Sequence, residues 1–134
     1  KKGDYKKTIE AYQEVIRINP DYTNIHYNLG WAYGELKKYQ ESLAAFKEAV
    51  KQNPEDADFH YGLGWAYSQL KDYEKAIESF KQVIRIKPDY PFAHYSMGMI
   101  HLVQRDKNAA LNEYKILKDL DQKIADKLFD MIYR

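Results

Sequence analysis

Three histidines, His26, His60 and His94, stand thirty-four residues apart, and imidazole is a common metal ligand and proton carrier near neutral pH. A shared ion would need every ring nitrogen about 2.1 Å from one point. Units separated by a whole supersecondary repeat hold their side chains too far apart for that, so packing or a side-chain hydrogen bond is the expected role. His94 and His101 are seven residues apart on one helix, two turns, which also exceeds direct chelation. Gly62-Leu63-Gly64 lies inside a helical pattern with no strand before it, so it is not a phosphate loop. No serine elbow, zinc signature or secluded carboxylate pair is recognisable. Catalysis, a metal and a cofactor are therefore not expected. What remains is recognition by aromatic side chains at helical spacing.

The elements that carry these residues announce themselves by repetition. His26-Tyr27-Asn28-Leu29-Gly30-Trp31-Ala32-Tyr33 returns as His60-Tyr61-Gly62-Leu63-Gly64-Trp65-Ala66-Tyr67, and again as His94-Tyr95-Ser96-Met97-Gly98-Met99-Ile100-His101. Residues 23–56 and 57–90 agree at thirteen of thirty-four positions. A fixed period of this size means a stacked array of identical units. Proline at 20, 54 and 88 ends one helix of each unit and disfavours the α region before it. The spacing predicts helices over 23–36 and 38–52, 57–70 and 72–86, and 91–104 and 107–120. Before them, Ile9, Tyr12, Val15, Ile16 and Ile18 predict a helix over 5–18. Lys2-Gly3-Asp4-Tyr5 aligns with the turns Lys37-Lys38-Tyr39 and Lys71-Asp72-Tyr73. The chain thus opens in mid-repeat, either as a fragment or as an array that has lost a first helix. The uncovered apolar face of that helix is a candidate self-association surface. At the other end, Asp121 can cap a helix over Gln122–Tyr133. Its apolar stripe Ile124, Leu128, Phe129 and Ile132 suits sealing the last unit against water.

These columns resemble the tetratricopeptide repeat. The family's Leu-Gly pair stands as Leu29-Gly30 and Leu63-Gly64, varied to Met97-Gly98, and its following tyrosine as Tyr33 and Tyr67, replaced by His101. The small residue of the second helix is Thr8, Ser42, Ala76 and Ala110, and the aromatic four residues on is Tyr12, Phe46, Phe80 and Tyr114. Departures are histidine in place of the usual first-helix tryptophan, and Gln122 in place of the terminal proline. The resemblance covers about residues 1–122. It implies an all-α, right-handed superhelix in one domain: a second helix of a truncated repeat at 1–22, repeats at 23–56, 57–90 and 91–121, and a capping helix at 122–134. A glycine in mid-helix costs about 1 kcal/mol against alanine, so Gly30, Gly64 and Gly98 should have a packing reason. Close approach of Phe46 or Phe80 supplies one.

Bulk properties narrow the partner class. Twenty-one basic and twenty acidic residues leave a net charge of +1, with no general attraction to nucleic acid or anionic membrane. No apolar run approaches a membrane span and no signal peptide opens the chain. Cysteine is absent, which excludes disulfides and thiolate metal sites and leaves the compartment open, with a soluble, cytoplasmic setting favoured.

On the helix over 23–36, His26, Leu29, Gly30 and Tyr33 share one face. Tyr27 and Trp31 point together about 120° from it, and recur as Tyr61 and Trp65, then Tyr95 and Met99. In tetratricopeptide arrays the first helices line the concave side, so the resemblance implies a groove lined by Tyr27, Asn28, Trp31, Tyr61, Trp65, Tyr95 and Met99. The rival role for the two tryptophans is packing between adjacent first helices. Family members that clamp a terminal carboxylate use lysine, arginine and asparagine. Asn28 fits one such column, but Asp58 and Gly62 occupy the basic ones, so no clamp of that kind is expected. The expected function is a non-catalytic scaffold or adaptor binding a partner peptide with apolar or aromatic anchors. The alternatives are a homo-oligomer assembled through the amino-terminal edge or groove, and an accessory module of a larger enzyme.

Overall fold

The computed structural model describes residues 1–22 and 24–134. Among them are eight α-helices and no strand: α1 Lys2–Ile18, α2 Ile25–Glu35, α3 Tyr39–Gln52, α4 Ala57–Gln69, α5 Tyr73–Ile86, α6 Pro91–Val103, α7 Lys107–Leu120 and α8 Gln122–Ile132. Each helix packs on its neighbour in the chain, α2 also touches α4, and α6 also touches α8. The core follows the same order. Instead of one centre there are four apolar clusters strung along the array, such as Ile9, Leu29, Ala32 and Ala45 near the start and Ala76, Phe80, Val83, Ala93, Met97 and Ile100 further on. Stability in such an array is a sum over neighbouring interfaces.

Two kinds of turn hold the helices in place. Within a hairpin, the first helix ends on a left-handed residue: Lys37 at φ 58°, Lys71 at 64° and Arg105 at 63°. The Lys38 amide then donates to Tyr33 O and that of Lys37 to Gly34 O, with the same pair at Asp72→Tyr67 and Lys71→Ser68, and at Asp106→His101 and Arg105→Leu102. This is the Schellman closure, which satisfies two carbonyls that the helix leaves open. Asp72 and Asp106 cap the following helices through Lys75 N and Ala109 N, whereas Lys38 makes no side-chain cap. Between units, α1, α3 and α5 stop one residue before an X-Pro bond, and the residues Asn19, Asn53 and Lys87 donate to Val15, Ala49 and Val83.

The last connection is tighter. Asp121 ends α7 by donating to Leu117 O and starts α8 by accepting from Ile124 N. One residue therefore does the work of a longer turn, and α8 begins ahead of the column where α2, α4 and α6 begin.

Three expectations are corrected. Lys2–Tyr5 is the first turn of α1, not a turn between helices. Its Gly3 lies in the column of Lys37, Lys71 and Arg105 but does not take positive φ, so the helix runs through it, with Asp4 favourably placed in the first turn. Ile18 is 70% exposed and Phe129 42% exposed; neither belongs to a buried stripe. Ile18 is the last residue of α1, and Phe129 lies beside the stripe that Ile124, Leu128 and Ile132 bury. The start of α2 expected at Thr23 lies outside the described residues.

Candidate functional site

The first helices α2, α4 and α6 are apolar nearly all round, and the structure shows why: each meets more than one neighbour. On the inner face, Gly30 lets the Phe46 ring approach so closely that a Cβ would stand 2.6 Å from it. Gly64 does the same for Phe80 at 2.7 Å. The buried Ser42 hydroxyl donates to the Gly30 carbonyl at 2.7 Å. In the last unit the partner of Gly98 is Leu128 of α8, at 2.6 Å from a built Cβ, and not Tyr114.

A second close approach carried no signal in the sequence. A Cβ on Gly62 would stand 2.5 Å from the same Phe46 ring, and one on Gly34 would stand 2.7 Å from the Trp65 indole. Phe46 is thus held between α2 and α4, and is completely buried.

The seven expected groove residues divide accordingly. Trp31 and Trp65 are half-buried and touch each other, with ring centroids 4.9 Å apart, and Trp31 meets Phe46 edge-on at 5.0 Å. Tyr27 stacks on Phe59 at 5.0 Å and Tyr61 lies 5.5 Å from both Phe80 and Tyr90. Tyr95 and Met99 lean on the cluster built by α7 and α8. Asn28 is exposed. These aromatic rings therefore tie successive first helices together and leave only part of their surface on the open face.

That face has polar members too. Tyr90 donates its hydroxyl to the exposed Asp58 carboxylate at 2.7 Å. Burial pushes the Tyr90 phenol well above its ordinary range, and the bond to Asp58 adds to the shift. Burial raises the Tyr27 phenol as well. Beside α1, Tyr5, Thr8, Tyr12, Asn28, Trp31, Ala32 and Glu35 line an open depression of about 300 Å³.

Two of the histidines, His60 and His94, are spent on structure. His60 Nε2 lies 2.7 Å from the Pro54 carbonyl oxygen, and His94 Nδ1 lies 3.2 Å from Glu113 Oε1 in a buried pair. Among the described residues no group of three or more His, Asp or Glu is arranged to hold a metal ion. None of their helices is long and apolar enough to cross a membrane.

Two family models match the chain: a "Tetratricopeptide repeat" model over residues 27–91 and a "TPR repeat" model over residues 1–37. No curated protein matches its sequence. Among solved structures, MamA 41-end from Desulfovibrio magneticus RS-1 is 24% identical with a TM-score of 0.84, over 90% of this chain and 68% of that one. A crystal structure of MamA is 20% identical with a TM-score of 0.85, over 98% and 88%. A tetratricopeptide repeat protein from Parabacteroides merdae ATCC 43184 is 19% identical with a TM-score of 0.86, over 98% of this chain and 53% of that one. At these identities the likeness carries the fold, an all-α superhelix of helix–turn–helix units. Fold and repeat together support the general role of a protein-interaction scaffold. With two repeat models spanning residues 1–91, the chain belongs to the tetratricopeptide repeat family.

Proposed function

We propose that the chain holds a peptide segment of a partner protein across the face formed by α2, α4 and α6, in the groove implied by its family. One observation carries this reading. Phe92 and Val103 are 54% and 58% exposed on α6, seven and four residues from Met99, so the three share one side of that helix. The half-buried Trp31 and Trp65 occupy the Met99 column on α2 and α4. Contiguous apolar surface left open on a folded chain marks a site of interaction, and aromatic residues at its centre are the usual anchors.

The two tryptophans are the only ones in the chain, so their emission reports on this face. Titrating peptide-library pools against the protein should give a saturable emission change. Asn28→Tyr places bulk on the exposed rim, and Ser96→Tyr places it at a half-buried position on the same face, beside the Tyr61 hydroxyl. Each should weaken binding roughly tenfold, about 1.4 kcal/mol, while leaving the melting temperature unchanged. Saturable binding that neither variant alters would move the site elsewhere.

A further inference from the structure

The molecule segregates its charge by helix type. Not one of its 21 lysines and arginines lies on α2, α4 or α6. All are on α1, on the second helices α3, α5 and α7, on α8, in the turns or at the chain ends. On the second-helix side they crowd together: Lys47 and Lys75 lie 5.8 and 5.9 Å from the Tyr67 ring. The first helices carry two carboxylates, Glu35 on α2 and Asp58 on α4, both exposed.

Along the open face the chemistry also changes from one repeat to the next. The columns read Asn24 before α2 with Asn28, Trp31 and Glu35 on it, and Asp58, Gly62, Trp65, Gln69 on α4. On α6 they read Phe92, Ser96, Met99, Val103. The outermost positions are thus polar or acidic on α2 and α4, and large and apolar on α6. Asp58 accepts from Tyr90 through Oδ1, and its other oxygen remains for another donor.

We infer that the occupant of this face is a segment of a partner protein in which apolar or aromatic residues are joined to lysines or arginines. Its apolar part lies over Phe92, Met99 and Val103, and its cationic part beside Asp58 and Glu35. This rests on the groove reading above and adds the chemistry of the ligand to it. Charge complementarity carries the choice. An acidic segment would meet two carboxylates with no lysine or arginine on α2, α4 or α6 to offset them, and like-charge juxtaposition excludes wrong partners. A cationic segment finds those carboxylates.

The test uses four acetylated, amidated peptides on the whole chain: Leu-Phe-Leu-Gly-Ser-Lys-Arg-Lys; the same with Glu-Asp-Glu in place of Lys-Arg-Lys; the same with Gly-Ser-Gly there; and the basic peptide with Ser-Gly-Ser in place of Leu-Phe-Leu. The first should bind at least about tenfold tighter than each of the others. Its affinity should fall by about threefold between about 50 and about 300 mM salt. Glu35→Gln and Asp58→Asn together should weaken it about tenfold and remove the salt dependence. The asparagine keeps an acceptor for Tyr90, so the fold is preserved. Phe92→Ser should weaken only the peptides that carry Leu-Phe-Leu.

If the acidic or uncharged peptide binds best and Asn28→Tyr blocks it, the groove stands and the inferred ligand chemistry falls. If the basic peptide binds but ignores Asn28→Tyr and Ser96→Tyr, both readings fall. Failure of the basic peptide to bind below about 1 mM overturns the inference. So does light scattering that shows a second copy of the chain covering the face and excluding the peptide.

Discussion

Phe46 is gripped by glycines on two different helices, and the grip sets what each position tolerates. At Gly30 and Gly62 a Cβ would stand 2.6 and 2.5 Å from ring atoms of one side chain that is fully buried. The ring cannot move off one glycine without pressing on the other. Gly62→Ala should therefore cost about 1–3 kcal/mol through overpacking, although alanine is the better helix former by about 1 kcal/mol. Gly3→Ala, where nothing lies within 4 Å of the added carbon, should show the opposite sign. Denaturant melts of the two variants check the pair, and equal behaviour would mean that the ring is free to yield. The expectation of close packing at Gly30 and Gly64 was legible because each recurs in a column with a phenylalanine sixteen residues later. Gly62 was not legible. Its column is asparagine in one repeat and serine in another, so nothing periodic distinguished it from a gap in a polar rim.

At the scale of the element, the hairpin turns put a charged side chain where the backbone asks for none. Lys37, Lys71 and Arg105 take positive φ, a conformation that favours glycine because it has no Cβ. The amide pairs that close each turn are main-chain bonds and survive substitution. Lys71→Gly should therefore stabilise the protein by about 0.5–1 kcal/mol, net of the entropy glycine returns to the unfolded chain. A lowered melting midpoint would show that the lysine side chain contributes something the turn needs. The helices themselves were readable from the sequence, since proline columns and apolar spacing both mark their ends. What spacing does not tell is how many neighbours a face will meet. Tyr27 and Trp31 sit about 120° from the face that carries Leu29 and Gly30, and that angle alone suits either an open groove or a second contact. In the structure the second contact takes much of each ring, because α2 touches α4 directly. The same limit explains Ile18 and Phe129, which keep helical spacing at positions that stay largely open to solvent.

Over the whole molecule, an array without a central core stands or falls at its interfaces, and the last one is built differently from the rest. In the other repeats a second-helix phenylalanine fills the space above the first-helix glycine; above Gly98 that space is filled by Leu128 of α8. Leu128 is completely buried, and Ile124, Ala125 and Ile132 close over Ala110 and Leu117 beside it. Tyr114, released from the glycine, packs on Phe129 at the rim. The helix that follows Asp121 therefore does more than shield the end, since it completes the packing of the unit before it. Leu128→Ala should cost about 2–5 kcal/mol, a buried leucine leaving a void that a turn this short cannot collapse to fill. Ending the chain at Leu120 should go further, uncovering Ala110, Leu117 and the Gly98 side of α6 at once, and the product should aggregate. Melts and static light scattering on the two variants separate the outcomes. A shortened chain that stays monodisperse and melts like the original would mean that α6 and α7 are sufficient as a terminal pair. A Leu128→Ala variant that melts normally while the shortened chain aggregates would leave α8 as a cover and remove its part in the packing at Gly98.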